Sequence, residues 1–137
     1  MNNLEILLYV VLGVAAIAYA YIIGVRPQKG SPIIAIALAM VFSAFTALQL
    51  TREGIPMFFA NHAANLTGLQ VWWDIVMCAV IAFFFIAPRA RKQGMRLLPW
   101  AVFVHATVSI GLLVMCARLF WLENKANKGE TIKLNDA

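Results

Sequence analysis

LQVWWDIVMCAVIAFFFIA, Leu69–Ala87, is the stretch on which the fold turns, because it sets one acid, Asp74, inside an otherwise apolar run. The uncharged part after that acid, Ile75–Ala87, is 13 residues long. At ~1.5 Å rise per residue it reaches only ~20 Å, short of the ~30 Å hydrocarbon core of a bilayer. A helix that spans must therefore begin before Asp74, near Leu69, and either bury the acid or hold it at the rim. A charge at that depth is costly and is normally paired or functional, which makes Asp74 the first candidate site residue.

Working outward, three further apolar runs accompany this one: Ile6–Val25, Ser31–Thr51 and Leu97–Ala117, each uncharged and 20 or 21 residues long. Each is long enough to cross a bilayer as a helix, the form in which a single segment satisfies all its own backbone polar groups. The composition agrees: 63% hydrophobic residues, 12% charged and a mean hydropathy of +0.82 lie far from the soluble range. The fold class expected is an all-α membrane protein, an up-down bundle of four transmembrane helices over residues 1–123, with a polar, disordered tail over 124–137. Ala18-Tyr19-Ala20 has the look of a signal-peptide cleavage site, but nothing basic precedes the apolar run and Glu5 is acidic. A retained first helix is the better reading.

The net charge of +5 does not point to nucleic acid, because the basic residues sit at the ends of the apolar runs, where they set orientation. Arg26, Lys29, Arg89, Arg91, Lys92 and Arg96 follow the first and third runs. In a four-span arrangement Arg52, Lys125, Lys128 and Lys133 fall on the other side. This bias predicts cytoplasmic basic loops and both termini outside. Cys78 and Cys116 lie within runs with no CxxC spacing, and read as small apolar residues rather than a disulfide or a metal site.

The connections are short. Arg26-Pro27-Gln28-Lys29-Gly30 is a turn-forming string, Pro32 suits the first turn of span 2, span 3 ends around Pro88, and Pro99 opens span 4. Ala16, Ala20 and Gly24 on span 1 and Ala35, Ala39, Ser43 and Ala47 on span 2 recur every four residues, a spacing that lets two backbones approach, so spans 1 and 2 are expected to pack along them. Trp72, Trp73 and Trp121 mark one membrane interface and Trp100 the other. Only Thr51–Gly68 is a long connection. Its Ile55-Pro56-Met57-Phe58-Phe59 is too apolar for a free loop and predicts a short interfacial helix or lid between spans 2 and 3, and Asn65-Leu66-Thr67 matches a glycosylation sequon.

Folding each helical hairpin about its turn places Tyr9, Gln49, Asp74 and Arg118 in one layer of the outer third, with Asn61, His62 and Asn65 above it. This layer reads either as a ligand-binding site or as a structural ion pair. The plain alternative is that Asp74 and Arg118 each snorkel to the headgroups. His105, with Ser109 on the same stripe, forms a second polar spot. It lies 13 residues from Arg118, ~140° around the helix, so the two cannot share one small site. No nucleotide-binding glycine motif, nucleophile constellation or haem attachment sequence occurs, and two distant histidines make no metal site, so no cofactor and no metal are expected.

Asn65 at a loop end, Asp74 early in the next span and the basic turn Arg89–Met95 together resemble a family of small four-span bacterial inner-membrane proteins of unknown function. The resemblance covers the second half of the chain and departs from the family at Ala117-Arg118-Leu119-Phe120, where a Pro-Leu-Phe-like exit is expected. It implies a multi-pass protein of the bacterial inner membrane and assigns no activity. Two functional readings follow from the residues. The leading one is a non-enzymatic accessory or packing subunit, surrounded by the lipid bilayer and docking a membrane partner or a second copy. The alternative is an intramembrane enzyme or carrier handling a lipid, isoprenoid or other small ligand in an outer-leaflet polar pocket.

Overall fold

The computed structural model describes residues 3–24 and 30–135, and every element in it is helical: α1 (Asn3–Gly24), α2 (Pro32–Glu53), α3 (Ile55–Ala63), α4 (Leu66–Lys92), α5 (Leu97–Thr107) and α6 (Ser109–Asn135). α1, α2 and α4 are long and apolar enough to cross a membrane. The large apolar side chains that face outward along them, such as Ile33, Val41, Phe84 and Phe85, suit lipid rather than water. The Arg26–Lys29 turn lies outside the described residues.

Local chemistry sets the helix ends. Ser31 is the N-cap of α2, its hydroxyl accepting from the Ile34 amide at 3.3 Å, with Pro32 in the first helical position. Asn65 caps α4 through its side-chain oxygen, which accepts from the Gly68 amide at 2.8 Å. α4 does not stop at Pro88 but continues one turn to Lys92. It closes on Gly94 at φ +71°, where the Met95 amide reaches the Ala90 carbonyl and the Gly94 amide that of Arg91. These are the two bonds of a Schellman ending, and its apolar contact is made by Met95 and Ala90, both buried.

The fourth apolar run is not a single helix, so the expected four-helix bundle is not confirmed. α5 ends at Thr107, Val108 takes φ 48° and ψ −105°, and α6 begins at Ser109. With 11 residues α5 is ~16 Å long, about half the hydrocarbon core. α6 doubles back on it. A Cβ added to Gly111 would stand 2.9 Å from both the Phe103 carbonyl oxygen and Val104 Cα, so the two backbones meet where only glycine fits. Met115 and Leu119 then bury completely in a core with Ala90, Met95 and Val104. Beyond them Arg89 Nη2 reaches Glu123 Oε2 at 2.7 Å. α5 and α6 thus form a hairpin that enters and leaves beside the end of α4. Because the chain turns a second time at Val108, after its turn at Gly94, the alignment that set Asp74 and Arg118 in one layer does not hold.

This return also changes which helices pack. α6 lies along α2, with the Phe120 ring against Gly30 and with Ala35 and Ala39 buried. The small-residue stripe of α2 therefore serves α6, not α1, and no Cα of α1 comes within 8 Å of another described helix. α6 runs on to Asn135, so the polar residues 124–135 continue it. A packed helix of which they are the continuation spares them the cost of nucleation.

Candidate functional site: a chamber at the tip of the hairpin

The half-depth hairpin leaves space beyond its tip. A cavity of about 990 Å³ fills it, bounded by the second half of α2, by α3, by the first half of α4 and by the turn between α5 and α6. The walls are mainly apolar and aromatic: Phe42 and Phe45 from α2, Phe58 and Phe59 from α3, Trp72, Val76, Ala79 and Phe83 from α4, Val104 and Val108 at the tip. Such a volume and lining are typical of a site that encloses one small ligand.

Six polar side chains interrupt the apolar wall: Thr46, Gln49, His62, His105, Thr107 and Ser109. Three are engaged within their own helices. The Thr46 hydroxyl donates to the Phe42 carbonyl at 2.9 Å and that of Thr107 to Phe103 at 2.8 Å. His62 Nδ1 lies 2.6 Å from the Phe58 carbonyl oxygen. A carbonyl only accepts, so Nδ1 carries the proton, and in the neutral ring Nε2 is an acceptor. The imidazole lies tilted between Phe58 and Trp72, at centroid distances of 4.9 and 5.2 Å. Gln49, His105 and Ser109 have no hydrogen-bond partner among the described residues, although all three face the same apolar space. Gln49 is half-buried and His105 and Ser109 are exposed, so each can take a partner from outside the chain.

Of the outer layer expected from the sequence, only Gln49 and His62 line this chamber, and the second polar spot, His105 and Ser109, joins them. Asp74 points away. The chamber-facing stripe of α4 runs through Trp72, Ile75, Val76, Ala79 and Phe83, and Asp74 lies roughly opposite it on the helical wheel, exposed and without a hydrogen bond or ion pair among the described residues. Arg118 is at the other end of the molecule, near Arg89, which stands 15 residues or about 22 Å along α4 from Asp74. Its guanidinium stacks on Trp121 at 4.7 Å. The two do not pair. Tyr9 is exposed on α1, Asn61 is exposed on α3, and the Asn65 side chain is spent on its cap.

Thr46 and Thr107 were not singled out by their sequence context, and Trp72 only as an interface aromatic. The available signal was the mid-run alternation His105, Thr107, Ser109, with Gly111 just beyond: polar and weakly helical residues gathered where a continuous lipid-facing span has no need of them. Among the described residues no three His, Cys, Asp or Glu side chains come together as a metal site would require. Comparison of the chain with protein-family models, with curated proteins and with solved structures gives no match.

Proposed function

We propose that this is an integral membrane protein of the bacterial inner membrane that binds an amphipathic ligand, a lipid or isoprenoid with a small polar head, in the chamber above the α5–α6 tip. One observation carries the reading: Gln49, His105 and Ser109, three polar groups without a partner among the described residues, face one largely apolar cavity. The apolar walls suit a hydrocarbon body. His62 Nε2, Gln49 and Ser109 offer acceptors and donors for a hydroxyl, amide or phosphate head. α3 acts as a lid over the side remote from the hairpin foot. The paired acid and base of a proton-transfer site are not at hand, so binding or carriage is favoured over catalysis.

The orientation follows from the same hairpin. Arg89, Arg91, Lys92, Arg96, Arg118 and Lys125 cluster around its foot, and Lys128 and Lys133 lie further along α6. Of the described Lys and Arg residues only Arg52 stands at the opposite end. The basic side is cytoplasmic by the positive-inside rule. The chamber then opens in the outer leaflet, the N-terminus is periplasmic, and the α6 tail is cytoplasmic rather than periplasmic.

Mass spectrometry of the protein purified in mild detergent tests the binding. A specific lipophilic molecule should be retained by the native chain and lost from an Ala79→Trp variant, whose indole fills the chamber. Equal, bulk-like lipid in both would reject the proposal. A second reading, an accessory subunit, is favoured by Asp74, an exposed intramembrane acid, and by α1, which packs on no other described helix. Native mass measurement separates it, since a strictly monomeric, partner-free particle counts against it.

A further inference from the structure

On the exposed flank of α6, the geometry points to a binding site for the phosphate of an anionic membrane lipid, formed by Arg118, Trp121 and Lys125. Positions 118, 121 and 125 are three and four residues apart and so share one stripe of the helix, and all three side chains are exposed. Met115 and Leu119, on a stripe roughly 100° around the helix, are fully buried and anchor α6 to the bundle. The Arg118 guanidinium sits 4.7 Å from the Trp121 ring centroid and the Lys125 ammonium 5.5 Å from it. Two cations therefore lie on one indole, each within the ~6 Å range of a cation–π contact.

No carboxylate among the described side chains answers them. Glu123, the nearest carboxylate in sequence, is bound to Arg89 through both its oxygens, and neither Arg118 nor Lys125 forms an ion pair among the described residues. Two like charges drawn to one ring without a counter-ion repel each other, and an anion between them removes that repulsion.

The depth identifies the anion. Phe120, one position before Trp121, lies against Gly30 at the start of α2 and under Arg89 at 5.6 Å, at the end of the apolar part of α4. Three helices thus place this level at the edge of the hydrocarbon, where tryptophan is favoured and where lipid phosphates reside. A guanidinium fork reads two phosphate oxygens, the ammonium adds a point charge, and the indole covers the glycerol and upper acyl chain. A phosphodiester with no amine of its own fits best, because a zwitterionic headgroup would bring a third cation to the site.

The full-length protein in nanodiscs of phosphatidylcholine with a minor fraction of phosphatidylglycerol provides the test, by native mass spectrometry of the lipids that stay bound. The native chain should retain phosphatidylglycerol over phosphatidylcholine by about tenfold, as expected for two charge-assisted contacts to one phosphate. An Arg118→Gln/Lys125→Gln variant should lose this preference, whereas Arg91→Gln/Arg96→Gln, which removes equal charge on the same side, should keep it. Trp121→Leu, with both cations present, should fall in between. Equal loss in the two double variants would show only a general basic field and overturn the site. Displacement of the bound lipid by inorganic phosphate alone would identify a free-anion site and overturn it as well.

Discussion

Arg89 and Glu123, 34 positions apart in the chain, meet in a two-point ion pair, Nε to Oε1 at 2.9 Å and Nη2 to Oε2 at 2.7 Å. The pair ties the end of α4 to the returning α6, and Phe120 packs beneath the same guanidinium. Arg89 remains 47% exposed, so screening holds its worth near the surface range, about 1 kcal/mol of coupling. A double-mutant cycle of Arg89→Gln and Glu123→Gln, read as stability in detergent, should show that coupling. Additive effects within ~0.3 kcal/mol would mean that α6 does not return to α4.

Gly111 and Gly13 should respond oppositely to the same substitution. A side chain at Gly111 meets α5 backbone, whereas a Cβ at Gly13 meets nothing within 4 Å. Gly111→Leu should cost about 1–3 kcal/mol through forced separation of α5 and α6, and Gly13→Leu should be close to neutral. Similar tolerance at both sites would argue against the hairpin.

Val108 is the only non-glycine residue with positive φ among the described residues. A β-branched residue there stores about 1–3 kcal/mol of strain. Glycine relieves it but gives back about 0.5–1 kcal/mol through the freedom it adds to the unfolded chain. Val108→Gly should therefore stabilise the protein by roughly 1 kcal/mol. A clear loss of stability in thermal unfolding would mean the bend is not made at this residue.

The cap at Asn65 gives a local test of α4. Asn65→Ala should cost about 1 kcal/mol, and Asn65→Asp or Asn65→Ser should restore most of it, since each supplies an oxygen to the Gly68 amide. Failure of both to restore would point to a role for the amide beyond capping.

Sidedness can be read directly. In a background without Cys78 and Cys116, single cysteines at Arg91 and Lys125 should be labelled from the same face of the membrane, and one at Glu53 from the other. Labelling of the Lys125 position together with that at Glu53 would restore four full spans and remove the chamber.

Much of this architecture is legible in the chain. The apolar run lengths give α1, α2 and α4, the apolar segment Ile55–Phe59 gives α3, and Pro32 and Pro99 fall in the first turns of α2 and α5. The hairpin escapes such a reading because run length reports only that a segment tolerates lipid, and Leu97–Ala117 is long enough to cross. What divides it is a tertiary contact, Gly111 against Phe103 and Val104, together with a backbone conformation that no glycine or proline announces. The candidate site followed the same limit. Gln49, His62, His105 and Ser109 stand out as polar residues in apolar surroundings, but their meeting depends on where the fourth run turns. Asp74 and Arg118 were matched on the assumption that it does not turn.

In the arrangement proposed above, with α1, α2 and α4 crossing and the α5–α6 segment turning back at half depth, the chain passes through the bilayer an odd number of times. Drawn out as one helix, the same 21 uncharged residues from Leu97 to Ala117 would make that number even. The compartment in which the polar half of α6 works is thus a matter of parity, set by a bend at Val108 and a missing side chain at Gly111 rather than by any charge. Substitutions at those two positions bear on the protein's address as well as on its packing.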